Sequence, residues 1–168
     1  MTPPLRIAIM AGSLWAGALT VASVPPAAIP VTAAADDPLV VVVNRANAES
    51  SITSAMLRQF VLGVDSRWAD GRRATFVLRE AGSSERDAVL RLCHLDEAGY
   101  VKTRLQMTFK GETGEPKTVT SSRAVVRFLY NVPGAVGVIR ASDVDDSVKV
   151  VRLDGMDARD PHYPLTAR

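Results

Sequence analysis

The densest set of groups able to do chemistry lies in one short run, Arg79-Glu80-Ala81-Gly82-Ser83-Ser84-Glu85-Arg86-Asp87. It falls where an alternating apolar pattern gives way to a helical one. A helix that starts there presents unpaired backbone N–H groups and the positive end of its dipole, which favours an anion. Gly82 permits a tight approach, Ser83 and Ser84 add hydroxyl donors, and the planar fork of Arg79 can clamp two oxygens. The chemistry suggested is oxyanion binding, with Arg79, Gly82, Ser83 and Ser84 as the ligand-binding residues. The same residues also fit ordinary helix construction. Ser84 with Asp87 three positions later reads as a capping box, and Arg79 has Glu80 and Glu85 within reach as partners.

Other reactive side chains do not assemble into a catalytic set. Cys93 and His94 are adjacent, but neighbouring helical residues point about 100° apart, so the pair does not make a nucleophile and its base. Cys93 is the only cysteine in the chain and reads as a small core residue. His94 and His162 are the only histidines, too few to suggest a metal site. No nucleophile elbow or phosphate-cradling P-loop occurs. The sequence therefore points to binding, with no enzymatic activity, no metal and no cofactor.

The elements that must position this run follow from periodicity. Residues 39–43 form a continuous apolar stretch rich in valine, expected to be a strand covered on both faces as in a parallel sheet. After a polar turn at 47–51, Met56, Leu57, Phe60 and Val61 recur at helical spacing; Thr53 is the expected N-cap and Gly63 the stop, giving a helix over 54–62. Residues 68–71 are a turn in which Trp68 packs onto that helix. Residues 74–79 alternate as a second strand, with Phe76 and Leu78 on one side and Val77 on the other. Ala88, Val89, Leu92 and Leu95 mark the helix that follows. A further helix begins at Asp96, with Tyr100, Val101, Leu105 and Met107 as its apolar face. Residues 110–121, holding Gly111, Gly114 and Pro116, read as a mobile loop. Ser122 opens a helix carrying Val125, Val126, Phe128 and Leu129, and 135–139 and 148–151 supply two short strands. Strands alternating with helices predict an α/β fold with an open, mostly parallel sheet flanked by helices. Ligands of such sheets bind beyond the carboxyl ends of the strands, which is where Arg79 falls.

The junction from Arg79 through Gly82, Ser83 and Ser84 resembles the Arg-x-x-Gly-Ser-Gly-Thr segment of the periplasmic phosphate-binding proteins of ABC importers. Phe60-Val-Leu-Gly63 followed by Trp68-Ala-Asp-Gly71 is similar to a helix exit in that family. Pro133-Gly134-Ala-Val-Gly137-Val resembles its Pro-Gly-Ala-Ile-Gly-Tyr strand, and Asp160-Pro-His-Tyr163-Pro164-Leu165 its late Tyr-Pro-Leu segment. The resemblance implies one lobe of a type II periplasmic binding protein fold, namely the middle, second lobe with a final return segment. It implies inorganic phosphate or a related oxyanion as ligand and an ABC transporter as partner. Position by position, Arg79 and Ser83 match the family's ligand residues, Ser84 stands where Gly is usual, Glu85 where Thr is usual, and Ala81 where an acid is usual. A carboxylate about 5 Å from a bound anion would cost roughly 3 kcal/mol at an effective dielectric near 20, so Glu85 is expected to point away from a bound phosphate.

The N-terminus completes the picture. Residues 1–6 carry one basic side chain, 7–24 are an apolar run, and Pro25, Pro26 and Pro30 precede Ala33-Ala34-Ala35. This is the pattern of a secretion signal cleaved near Ala35, so the working protein is expected outside the cytoplasm, and the family resemblance implies the periplasm. The expected organisation is a signal peptide over 1–35 and a single binding-protein-like domain over 36–168, with a C-terminal tail from about 153. Removing Arg6 with the signal leaves 19 basic and 18 acidic side chains, interspersed in sign, so no basic face for nucleic acid is legible. A lobe without its partner also admits a second role, an interaction or sensory accessory that docks on a membrane receptor. A homodimer that rebuilds a two-lobed cleft would reconcile the two roles.

Overall fold

The computed structural model describes residues 37–64, 67–111 and 116–166. The expected signal peptide and its cleavage near Ala35 lie outside the described residues. A six-stranded sheet has the order β2-β6-β1-β5-β3-β4, formed by β1 (Leu39–Asn44), β2 (Ser51–Ile52), β3 (Thr75–Arg79), β4 (Lys117–Val119), β5 (Ala135–Arg140) and β6 (Val148–Leu153). Three pairings are parallel, β2 with β6, β3 with β4 and β3 with β5. The mostly parallel α/β expectation is met.

The valine run forms β1, buried on both faces as expected. Both of its neighbours, β5 and β6, run antiparallel to it. A continuous apolar run therefore reports double burial, not direction: helices cover both faces of this sheet, so no polar alternation is needed even in an antiparallel strand. Leu39, Val41 and Val43 face one core and Val40 and Val42 the other. Each such side chain contributes roughly 1.5–3 kcal/mol when fully removed from water.

Helices α1 (Ser54–Leu62), α2 (Ser84–Leu92) and α3 (Glu97–Phe109) lie on the first face, and α4 (Ser122–Asn131) lies on the second. α1 matches its predicted span, with the Thr53 hydroxyl accepting from the Met56 N–H and Gly63 ending it at φ 70°. The Trp68 ring packs on Phe60 at 5.0 Å between centroids, and its indole N–H donates to the Gly134 carbonyl at 3.0 Å. α4 sits close on β5 because Gly137 has no side chain: a Cβ there would stand 2.8 Å from Val125 Cγ1.

Four sequence expectations change. α2 stops at Leu92, and the chain turns through His94 at φ 57°, so Leu95 belongs to the link and not to the helix. α3 forms where expected, but of its anticipated apolar face Tyr100 is buried and Met107 packs partly buried on the core, while Val101 and Leu105 stand 54 % and 56 % exposed, with Phe109 beyond them at 83 %. The stretch read as a loop contains the edge strand β4, which pairs with β3 from Lys117 to Val119, while residues 112–115 lie outside the described residues. β2 forms at the end of the stretch read as a turn. The C-terminal tail returns onto the core, where Tyr163 and Leu165 are buried. No helix of the described residues is long and apolar enough to cross a membrane.

Candidate functional site

β3 and β5 run parallel side by side, so their last residues, Arg79 and Arg140, emerge at the same end of the sheet. β4 runs the same way and leads directly into α4, whose N-terminus therefore sits at that end. α2 starts there too, after a turn in which Gly82 adopts φ 84°. No protein atom lies within 4 Å of where a Gly82 Cβ would stand, so glycine is required there by backbone conformation and not by crowding. Two helix N-termini on opposite faces thus converge at the carboxyl ends of parallel strands, the usual location of ligands in open α/β sheets.

The side chains fill this convergence closely. Arg79 donates from Nη1 to the Ser122 hydroxyl at 3.0 Å and from Nη2 to the Thr120 carbonyl at 3.2 Å, tying the end of β3 to the start of α4. Glu85 turns inward. Its Oε1 lies 3.5 Å from Arg79 Nη1 and 3.6 Å from Arg140 Nε, with the carboxylate side chain only 7 % exposed. Arg140 Nη2 donates to the Ser84 hydroxyl at 2.8 Å, and Ser84 donates in turn to Glu85 Oε2 at 3.3 Å. Glu80 stands further out, 3.9 Å from Arg79. One Arg79 atom, the buried Nε, has no hydrogen-bond partner. Glu85 faces the arginines here because two cations attract a carboxylate, and in this chain the carboxylate is its own.

Of the four residues singled out from sequence, Arg79 and Ser84 join this cluster. Ser83 is used for helix construction: it is the N-cap of α2, accepting from the Arg86 N–H at 3.3 Å and donating to the Glu80 carbonyl at 2.8 Å. The cap is therefore one residue earlier than the box read from Ser84 and Asp87. Gly82 supplies the turn. Arg140 and Ser122 were missed. The signal that could have found Arg140 is its place at the carboxyl end of a strand, the same logic that singled out Arg79, and the reading of that strand stopped one residue short.

Next to the cluster, Arg86 is committed elsewhere. It donates from Nε and Nη2 to the two oxygens of Glu97 at 2.8 and 2.7 Å and from Nη1 to the Arg79 carbonyl at 3.0 Å. Its guanidinium lies 5.1 Å from the centre of the Tyr100 ring. Cys93 is fully buried and its neighbour His94 exposed; burial pushes the thiol up to about 11, so it stays protonated and unreactive at neutral pH. Among the described residues no group of three or more His, Cys, Asp and Glu is placed to hold a metal ion.

An open α/β sheet with helix N-termini gathered at its carboxyl edge is a fold that solved proteins share. The particular likeness is to phosphate receptors of ABC-type transport. The chain superposes on an ABC-type phosphate transport receptor from Vibrio cholerae with a TM-score of 0.62 at 23 % identity, over 77 % of this chain and 53 % of that one. A putative phosphate ABC transporter substrate-binding protein from Clostridium perfringens, solved with bound phosphate, gives 0.59 at 22 % identity over 73 % and 47 %. PstS from Borrelia burgdorferi gives 0.54 at 14 % over 72 % and 49 %. The chain spans about half the length of these structures. No known family profile and no curated protein matches the sequence.

Proposed function

We propose that this chain is an exported, non-enzymatic solute-binding protein that holds phosphate or a related tetrahedral oxyanion for an ABC-type transporter. The site is the junction of α2 and α4. Arg79, Arg140 and Ser84 are the donors, Ser83 holds the helix terminus in place, and Gly82 sets the turn. One observation carries the reading: two arginines from the ends of adjacent parallel strands meet on a single carboxylate oxygen, that of Glu85 in the first turn of α2. The cluster thus already performs anion binding. Such groups attract an oxyanion by the same electrostatics, and the structural likeness to phosphate receptors supports phosphate as the class to test first. Export rests on the secretion-signal pattern of residues 1–35, and a periplasmic location on the likeness to binding proteins.

Thermal melts of the native protein titrated with phosphate and with sulfate test this. Ligand at a hundred times its dissociation constant adds about 2.7 kcal/mol of stability. The melting temperature is expected to rise with phosphate in the native protein and to stay fixed in Arg140→Ala. No rise with any oxyanion at millimolar levels would sink the reading.

A second role is favoured by the exposed apolar residues of α3. Val101, Leu105 and Phe109, at i, i+4 and i+8, form an exposed stripe, and Val101 and Leu105 line a hollow of about 550 Å³ together with Tyr100 and Pro116. Exposed stripes of this kind mark interaction surfaces, and an accessory that docks through α3 would use it. Sedimentation of the native protein separates a free lobe from one that pairs with itself.

A further inference from the structure

Glu85 occupies the place an incoming oxyanion needs. We propose that it is a built-in competitor for the ligand, the residue that sets the affinity of the site by offering its own carboxylate to Arg79 and Arg140 until an external anion displaces it. This rests on the anion-binding reading given above.

Three observations support the role. Anion and carboxylate compete for the same donors, because Glu85 Oε1 is the atom both arginines face. The hold on Glu85 is also loose. Its contacts to the two guanidinium groups are 3.5 and 3.6 Å, beyond the 2.7–2.9 Å of a closed charge-assisted hydrogen bond, and buried Arg79 Nε is left without a partner. Nearby, Arg86 and Glu97 close to 2.8 and 2.7 Å, so the fold can make a tight pair where one is wanted. Finally, Glu85 is the second residue of α2, and the Arg140 side chain is 37 % exposed. The carboxylate is buried, but its Arg140 partner is partly exposed, and the way out runs past Arg140.

The charges facing Glu85 come from each element around it: Arg79 and Glu80 at the end of β3 and Arg140 at the end of β5, with Ser84 between. Removing the buried negative charge of Glu85 leaves the two arginines to an external anion.

The test compares phosphate and sulfate titrations of the native protein, Glu85→Gln, Arg140→Ala and the double variant Glu85→Gln/Arg140→Ala by calorimetry and thermal melts. Glutamine keeps the shape and the acceptor for Ser84 while removing the charge. A unit charge about 5 Å away at an effective dielectric near 20 corresponds to roughly two decades in affinity. Solvent at the open side reduces this, so Glu85→Gln is expected to bind phosphate at least about tenfold more tightly, a gain lost in the double variant. Its melting temperature without anion is expected to fall and to recover with phosphate. If Glu85→Gln proves unfolded in anion-free buffer, phosphate is expected to refold it, and a failure to do so counts against the competitor role. Equal affinity in the native protein and Glu85→Gln, with both losing it on Arg140→Ala, overturns the competitor role and leaves the site standing. No binding to any variant overturns the oxyanion reading itself.

Discussion

Arg79 and Arg86 lie seven residues apart at the same corner of the fold, and each meets a glutamate. Arg86 is closed on every side: both oxygens of Glu97, the Arg79 carbonyl and the Tyr100 ring take up its guanidinium, and its side chain is 8 % exposed. Arg79 is nearly as buried, at 14 %, yet its contacts to carboxylates are 3.5 and 3.9 Å and its Nε is unpartnered. The difference separates a closed pair from a cluster with longer contacts and an unpartnered donor. Arg86 ties the end of β3 to α3, with all three of its guanidinium nitrogens hydrogen-bonded. Arg79 shares one carboxylate oxygen with Arg140, an arrangement an external oxyanion with several acceptor oxygens would satisfy better.

The contrast can be broken most strongly at Arg86. Arg86→Ala removes a bidentate pair, a bond to the β3 end and the cover over Tyr100; with Glu97 partly solvated it is expected to cost about 2 kcal/mol, read by denaturant unfolding. Its response to phosphate should survive wherever the protein is folded. Ser83→Ala removes the α2 cap and is expected to cost about 1 kcal/mol; because the hydroxyl is already spent on Arg86 N–H and the Glu80 carbonyl, phosphate affinity should fall less than in Arg140→Ala. Arg140→Ala is the smallest change to stability, under about 1 kcal/mol for a partly solvent-exposed ion pair, and should nonetheless abolish the anion response. A large stability loss at Arg140 with an unchanged anion response would reverse the roles assigned to the two clusters.

Much of this was legible from residue order. Thr53 and Gly63 punctuate α1 through side-chain capping and a left-handed exit, both of which are local chemistry. The burial of β1 was legible from its unbroken valines, but its direction was not, because strand direction depends on partners far away in sequence. α3 shows the opposite failure: its apolar spacing is real, but periodicity does not say whether anything covers the face, and Val101, Leu105 and Phe109 remain outside. β4 was hidden because three residues paired along one edge leave almost no pattern of their own. At the site, Arg79 and Ser84 were found from the strand-to-helix junction. Arg140 was missed because it joins them only through the parallel pairing of β3 with β5, and the inward turn of Glu85 follows from two cations that sequence alone does not bring together.

The most direct measurement is a crystal structure of Glu85→Gln grown with arsenate, a tetrahedral oxyanion heavy enough to locate by its anomalous scattering. The account predicts one arsenate within hydrogen-bonding distance of Arg79, Ser84 and Arg140, in the place where the Glu85 carboxylate sits in the native chain. A substituted side chain that stays between the two arginines in Glu85→Gln, with no anomalous peak at the α2 N-terminus, would contradict it.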